Sequence, residues 1–285
     1  VDLERLLPAT DPLDRQITLG CGAFIELFDL AARANNYRAE IALWPEGEPQ
    51  PRLDRRPVAR IKLHAEATTK DQLFDHVLTR RTNREPLQGD TQAMRLDWTR
   101  SSDQLAAMRA LAWSGFALEC ATPAAYQESV DLMRIGLAEI AQHRDGIALD
   151  GPVVEFAKAV GLLNRRMLAD TSNSFTRDGI NAYQPLAENA PSFAWLISRE
   201  NTRSAQIAAG RTYARFNLAA TSQGVAMHPW SQTLQEYPEM AALYADAKRL
   251  TGAAESETTQ MLVRIGYGQA IEPAPRRGLA EHLRT

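Results

Sequence analysis

One long stretch of small and apolar residues organises the reading of the chain. From Arg203 to Gln223 no proline interrupts twenty-one residues of mostly good helix formers, and Gly224 stands where a left-handed cap is wanted. Ala205, Ala208, Ala209, Gly210, Ala214, Ala219 and Ala220 keep the predicted helix narrow. Ile207, Tyr213, Phe216 and Leu218 give it bulk on several sides, so no wide polar face remains. A helix that is apolar or small nearly all round is buried. Pro229 forbids its continuation, and Met227-His228-Pro229-Trp230-Ser231-Gln232 places polar side chains at the mouth of the buried element.

The same pattern returns 188 positions earlier, where Arg15, Gly22, Leu30, Ala31 and Ala32 match Arg203, Gly210, Leu218, Ala219 and Ala220. Each helix is followed by an apolar run around an Arg-Ile core, Val58 to Leu63 in one case and Leu262 to Tyr267 in the other. The repeat reads as an internal duplication. Two copies in one chain would form an intramolecular pseudo-dimer, its two small-residue helices packed closely at the centre.

Around these helices the periodicity predicts an α+β chain of helices packed around mixed β-sheets. Asp11 or Asp14 caps a first helix ending near Asn35-Asn36, strands follow over 38–44 and 58–63, and Thr69 to Gln72 is a capping box opening a helix with Leu73, Phe74, Val77 and Leu78 on one stripe. That helix stops at Pro86. Ser101 or Ser102 caps the next, 116–121 reads as a strand, Thr122-Pro123 opens a helix running to about His143, and 152–168 is helical with Phe156, Val160 and Leu163 inward. The polar stretch 170–190 reads as a long loop, a candidate lid. Ser192 to Ser198 is a strand, Pro238 to Leu250 a helix closed by Gly252, and Gln260 to Gly266 a buried strand. The duplication divides the chain into a partial first copy, 1–66, and a second copy, 67–285.

Composition narrows the function less than the pattern does. With 285 residues, 45% of them apolar, the chain can bury a large core. A formal charge of -3 and a pI near 6.0 argue against a general nucleic-acid or membrane-surface binder. No apolar run reaches the length of a membrane span, the five histidines never come at metal-ligand spacing, and Cys21 and Cys120 stand apart in apolar surroundings as inert buried thiols. No signal peptide is visible, which reads as cytoplasmic. The chain opens at Val1 without methionine, so an upstream piece, including an export leader, stays open.

The basic residues are lopsided, 28 Arg against 4 Lys. Arg is the residue of bidentate phosphate recognition, and Thr79-Arg80-Arg81-Thr82-Asn83-Arg84 is the densest basic cluster. Forked and short donors there suit a dianionic phosphate. The same residues would equally serve as an ordinary cap at a helix C-terminus. A second pair, Arg276-Arg277, lies in the tail.

The stretch Arg80-Arg81-Thr82-Asn83-Arg84 resembles the R-R-S-x-R signature of the nitroreductase family of FMN-dependent oxidoreductases. The buried helix, Gly224, the turn at Pro229, the strand Met261 to Tyr267 and the closing Pro-Arg-Arg-Gly-Leu are similar to that family's C-terminal half, in its order, over residues 66 to 283. The internally fused form resembles the family's Acg-like branch. The resemblance implies that Arg80, Arg81, Thr82 and Arg84 hold the phosphate and ribityl chain of one FMN per chain, with Arg276 or Arg277 on the phosphate from the other side. Pro229, Trp230, Ser231 and Gln232 would lie along the isoalloxazine. Where the family often has an acidic residue followed by glycine, this chain has Ser231-Gln232, and the family's P-S-x-x-N stretch is missing from it. No catalytic side chain and no metal are implied, because the flavin carries the hydride. The activity implied is electron transfer from NAD(P)H to a quinone, nitro compound or similar small acceptor. The rival reading is a protein that sequesters FMN or senses redox state beneath a closed lid. As a pseudo-dimer a single chain would suffice, with further self-association left open.

Overall fold

Two helices of equal length begin the account, because the rest of the larger unit is built on them. In the computed structural model, which describes residues 1–84, 98–99 and 101–283, α1 spans Arg15–Ala34, followed by β1 (Tyr37–Leu43), β2 (Ala59–Ala65), α2 (Ser102–Ala121), α3 (Pro123–Leu132), β3 (Met133–Ile135), α4 (Leu137–His143) and β4 (Ile147–Leu149). Then come α5 (Pro152–Ala159), α6 (Arg165–Ala169), α7 (Ser174–Asn181), α8 (Gln184–Glu188), β5 (Ser192–Ser198), α9 (Arg203–Ser222), β6 (Ala226–Pro229), α10 (Ala241–Thr251) and β7 (Thr258–Gly266). The chain divides into one unit of Val1–Phe116 with Pro185–Gln269 and another of Ala117–Gln184 with Ala270–Thr285.

In the first unit α1 packs on α9. The helices approach closely because each has a glycine at the crossing. A Cβ on Gly22 would overlap the carbonyl oxygen of Ile207 and lie 2.9 Å from its carbon; one on Gly210 would overlap the carbonyl oxygen of Leu19 and lie 2.8 Å from its carbon. Antiparallel β1 and β2 lie beside α1, where Ile25, Trp44, Leu53 and Ile207 form a buried cluster. A second sheet, ordered β5-β7-β6 and antiparallel throughout, packs on α9 through Ala194, Ala220, Val225, Met227, Val263 and Ile265. Full burial of a side chain such as Ile207 contributes about 2 kcal/mol. The only parallel contribution to this sheet among the described residues is a single bridge from Thr82 to Met227.

The first arginine of each helix reaches oxygens far away in the sequence. Arg15, 1% exposed, donates to Glu236 Oε2 (3.1 Å), to the carbonyl and side-chain oxygens of Gln260 (3.0 and 3.2 Å) and to the Leu234 carbonyl. Arg203, 2% exposed, donates to the carbonyls of Leu13 (2.8 Å), Asp14 (3.2 Å), Pro49 (3.3 Å) and Pro51 (2.7 Å) and to Thr18 Oγ1 (3.1 Å). Farther along, buried Glu26 of α1 takes Arg211 (2.7 Å) and Arg215 (2.9 Å) of α9.

Several expectations are corrected. At the start of α1 the cap is the first of the two expected residues, Asp11, whose carboxylate accepts from the N–H groups of Gln16 and Ile17, while Asp14 takes a left-handed backbone. The helix expected from Thr69 is a short 3-10 turn over Gln72–His76 capped by Asp71, and Leu78 is exposed; Pro86 lies outside the described residues. Residues 116–121 continue α2, since Ala117, Leu118, Glu119 and Ala121 are good helix formers and no β-branched residue intervenes. The helix expected to reach His143 breaks at β3, which pairs in parallel with β4, and Gly136 at φ 81 precedes α4. The helix over 152–168 breaks at Gly161 (φ 76), leaving Phe156 and Val160 exposed and Leu163 buried. The expected loop 170–190 holds α7 and α8, because Asn173 spends its side chain capping Thr176 N–H at 2.8 Å. The strand 192–198, Gly224 (φ 71) and Gly252 (φ 76) stand as read.

Candidate functional site

The arginine cluster reaches its place through a chain of charges. Arg215, already paired with Glu26, extends its other amino group to Asp71 (2.8 Å), and Asp71 caps the 3-10 turn by accepting from Leu73 N–H. That hydrogen bond, with Arg215 behind it, holds the Asp71 carboxyl below its usual range. From this fixed turn the chain runs to Arg80, whose N–H donates to the His76 carbonyl at 2.9 Å and whose charge acts on the Tyr213 phenol of α9. Arg81 folds back, Nη1 donating to the carbonyls of Leu78 (2.7 Å) and Arg80 (2.9 Å), while its buried Nε has no hydrogen-bond partner among the described residues.

Thr82 and Asn83 then run beside β6. Asn83 N–H donates to the Met227 carbonyl at 2.9 Å, and its side-chain amide, in a residue 4% exposed, donates to the Gln269 carbonyl at 3.0 Å. Arg84 is exposed beyond this anchor. Thr82 and Asn83 are thus brought beside Met227 of β6, the strand that ends at Pro229, within one unit.

The second stretch is tied down on its other side. Trp230 N–H donates to the Leu262 carbonyl (2.9 Å), and the Ser231 hydroxyl donates to that carbonyl (3.0 Å) while accepting from Leu262 N–H (3.2 Å). Trp230 is 2% exposed, its indole N–H donating to the Ala112 carbonyl at 2.9 Å, so it is a wall of the core with little surface for a ligand. Pro229, Ser231 and Gln232 are half-buried, and the Gln232 Oε1 and Thr233 Oγ1 atoms are buried without a hydrogen-bond partner among the described residues. Unmet polar atoms therefore occur in both stretches.

Two residues not singled out from the sequence stand between them. His228, 8% exposed, accepts at Nδ1 from Nε–H of Arg264 (2.9 Å), and Arg264 is fully buried in β7. Trp230 meets the imidazole edge-on at 5.3 Å and lies 5.6 Å beneath the guanidinium. A lone arginine inside the apolar run Leu262 to Ile265 could have flagged Arg264 as a buried cation, whereas His228 was visible only as one of the polar residues around Pro229. Burial, then the charges of Arg264 and Arg84, pushes the His228 pKa down to about 3. The unfolded chain takes up this proton first, near pH ~6.5, so the residue's contribution is fully present above that value and lost as pH falls toward about 3. Urea unfolding between about pH 6 and 4 should therefore show stability falling more steeply, by about 1 kcal/mol per pH unit, than in His228→Gln.

Arg276 and Arg277 belong to the other unit, where Arg276 is exposed and Arg277 Nε lies 3.8 Å from Asp145. Among the described residues no cluster of His, Cys, Asp and Glu could hold a metal ion, and no helix is long and apolar enough to cross a membrane. Cys120 is buried, its thiol pushed up to about 12, and half-buried Cys21 is shifted the same way by burial.

No protein-family model matches this sequence, and no curated protein matches it. Solved structures do show likeness. A nitroreductase-like family protein from Bacillus cereus is 12% identical with a TM-score of 0.34, covering 77% of this chain and 98% of its own. The FMN and NADPH-dependent nitroreductase NfnB from sphigopyxis sp. strain HMH is 16% identical with a TM-score of 0.35, and the FMN-dependent nitroreductase NfnB from Mycobacterium smegmatis, solved with NADPH, is 19% identical with a TM-score of 0.34. Each of those two covers 75% of this chain and 98% of its own. Likenesses this weak establish neither a family nor an activity.

Proposed function

We propose that the chain binds FMN and passes electrons from NAD(P)H to a quinone, nitro compound or similar small acceptor. The observation that carries this reading is the pinning of Asn83 to Met227, which sets the arginine stretch beside β6, the strand that ends at Pro229, while Arg81 Nε and Gln232 Oε1 are each buried without a hydrogen-bond partner among the described residues. Those atoms are a donor on one stretch and an acceptor on the other, which suits a ligand with an anionic end and a heteroaromatic end. Arg80, Arg81, Thr82 and Arg84 would hold the phosphate and ribityl chain; Pro229, Ser231 and Gln232 would line the ring, with Trp230 packed behind. When bound, FMN supplies the hydride chemistry, and this chain's residues bind and orient it and keep water from it.

The same proposal takes the chain as internally duplicated, a partial copy over 1–66 and an FMN-bearing copy over 67–285, with α1 and α9 as the seam of an intramolecular pseudo-dimer in the manner of the Acg-like branch. Supporting it are the reciprocal glycines, Gly22 and Gly210, and the reciprocal arginines, Arg15 and Arg203, each pair 188 positions apart. One FMN per chain follows, since the R-R-x-x-R stretch occurs once, in the second copy.

Purified protein should bind one FMN per chain, measured by flavin absorbance and by mass after heat release. Arg80→Ala and Arg84→Ala should each weaken FMN binding about 10- to 100-fold, the loss of one charge-assisted hydrogen bond. Unchanged affinity in both variants would sink the site. Anaerobic NADH or NADPH should bleach the bound flavin; a flavin that stays oxidised makes the protein a carrier or sensor in place of an enzyme.

A further inference from the structure

Arg264 makes an unusual claim on its neighbour. A guanidinium has only donors to offer and does not lose its proton in proteins, so the 2.9 Å contact from its Nε–H obliges His228 Nδ1 to hold a lone pair. The single ring proton of His228 then sits on Nε2. Trp230, edge-on at 68° and 5.3 Å, fixes the plane of the ring. Arg264 is itself held, its two amino groups reaching the carbonyls of Leu186 (3.4 Å) and Asn83 (3.5 Å). Asn83 is the residue that pins the arginine stretch to β6, so the same hydrogen-bonded set governs both. Among the described residues no hydrogen bond engages Nε2 of His228, although the side chain is more than nine-tenths buried.

We propose that His228 presents Nε2–H as a permanently neutral hydrogen-bond donor to a ring carbonyl or ring nitrogen of the bound flavin, and that Arg264 is the positioning residue that fixes this tautomer and places a buried positive charge behind it. This rests on the FMN reading above. Two consequences distinguish it from simple packing. The adjacent cations Arg264 and Arg84 oppose a second proton on the ring, so His228 hydrogen-bonds without supplying a proton. A cation and a donor directed at the flavin favour its electron-rich form, so reduced FMN is held more tightly than oxidised FMN.

The tautomer is read on the full chain without FMN, by long-range proton–nitrogen spectra of His228. A pyridine-like Nδ1 and a pyrrole-like Nε2, constant from about pH 8 to 5, are expected; a proton on Nδ1, or a charged ring in that range, overturns the proposal. The flavin half is read on the loaded protein. His228→Phe keeps an aromatic ring and loses the donor, and reduced FMN should loosen about tenfold more than oxidised FMN, a fall in midpoint potential of about 30 mV. A potential equal to that of the unaltered protein overturns the donor role. If the unaltered protein takes up no FMN, the proposed function fails and the flavin half with it, while the spectra still decide the tautomer.

Discussion

Arg203→Met is expected to lower the stability of the protein by about 3–5 kcal/mol, with the urea midpoint falling and its slope unchanged. The substitution keeps much of the buried volume and removes every donor. Four backbone carbonyls, those of Leu13, Asp14, Pro49 and Pro51, then lose a partner in a region the wild-type side chain fills to 2% exposure. Each orphaned buried acceptor costs about 1–3 kcal/mol, and relaxation of the 49–51 loop recovers part of the sum. Arg249→Met is the control. Its side chain is 69% exposed and paired with Asp246 on the surface, so a change within about 0.5 kcal/mol is expected. Equal losses in the two variants would mean that Arg203 contributes through bulk charge and not through the carbonyls it reaches.

Gly210→Ala should cost about 3 kcal/mol and lower the melting temperature by roughly 6–12 °C. Alanine is ordinarily better than glycine inside a helix by up to about 1 kcal/mol, so the sign is set by sterics alone. The added methyl would meet the Leu19 backbone, and a backbone carbonyl cannot swing aside as a side chain does, so α1 and α9 must separate. Gly22→Ala meets Ile207 in the same way from the other helix. Because both substitutions force one displacement, the double variant should lose less than the sum of the singles. Gly20→Ala, with nothing within 4 Å of the new atom, should be neutral or stabilising. Destabilisation at Gly20 matching that at Gly210 would refute the close-crossing account.

The crossing was legible in the sequence because glycine and alanine recur at fixed positions in an otherwise unbroken helical run, and only close packing calls for that. Gly224 and Gly252 were legible for the same local reason, a left-handed cap. The short helices of residues 174–188 were not, since Asn173 resembles a loop residue until the Thr176 N–H that it caps is placed three residues on. Nor could 116–121 be read as helix from its apolar run alone, which a buried strand shares. Of the candidate site, Arg80 to Arg84 and Pro229 to Gln232 were visible as clusters of polar side chains beside breaks in the pattern. His228 and Arg264 were not, because their importance lies in a pairing across strands β6 and β7, thirty-six positions apart.

The crossed arginines also bear on how the chain acquires its shape. Arg15 at the start of α1 is held by oxygens at 234–236 and 260, and Arg203 at the start of α9 by oxygens at 13–14 and 49–51, so each helix beginning is anchored on segments far from it in sequence. Nucleation and protection are thereby coupled, and slowly exchanging amides at the two helix beginnings should open together, with one free energy, as a single cooperative foldon.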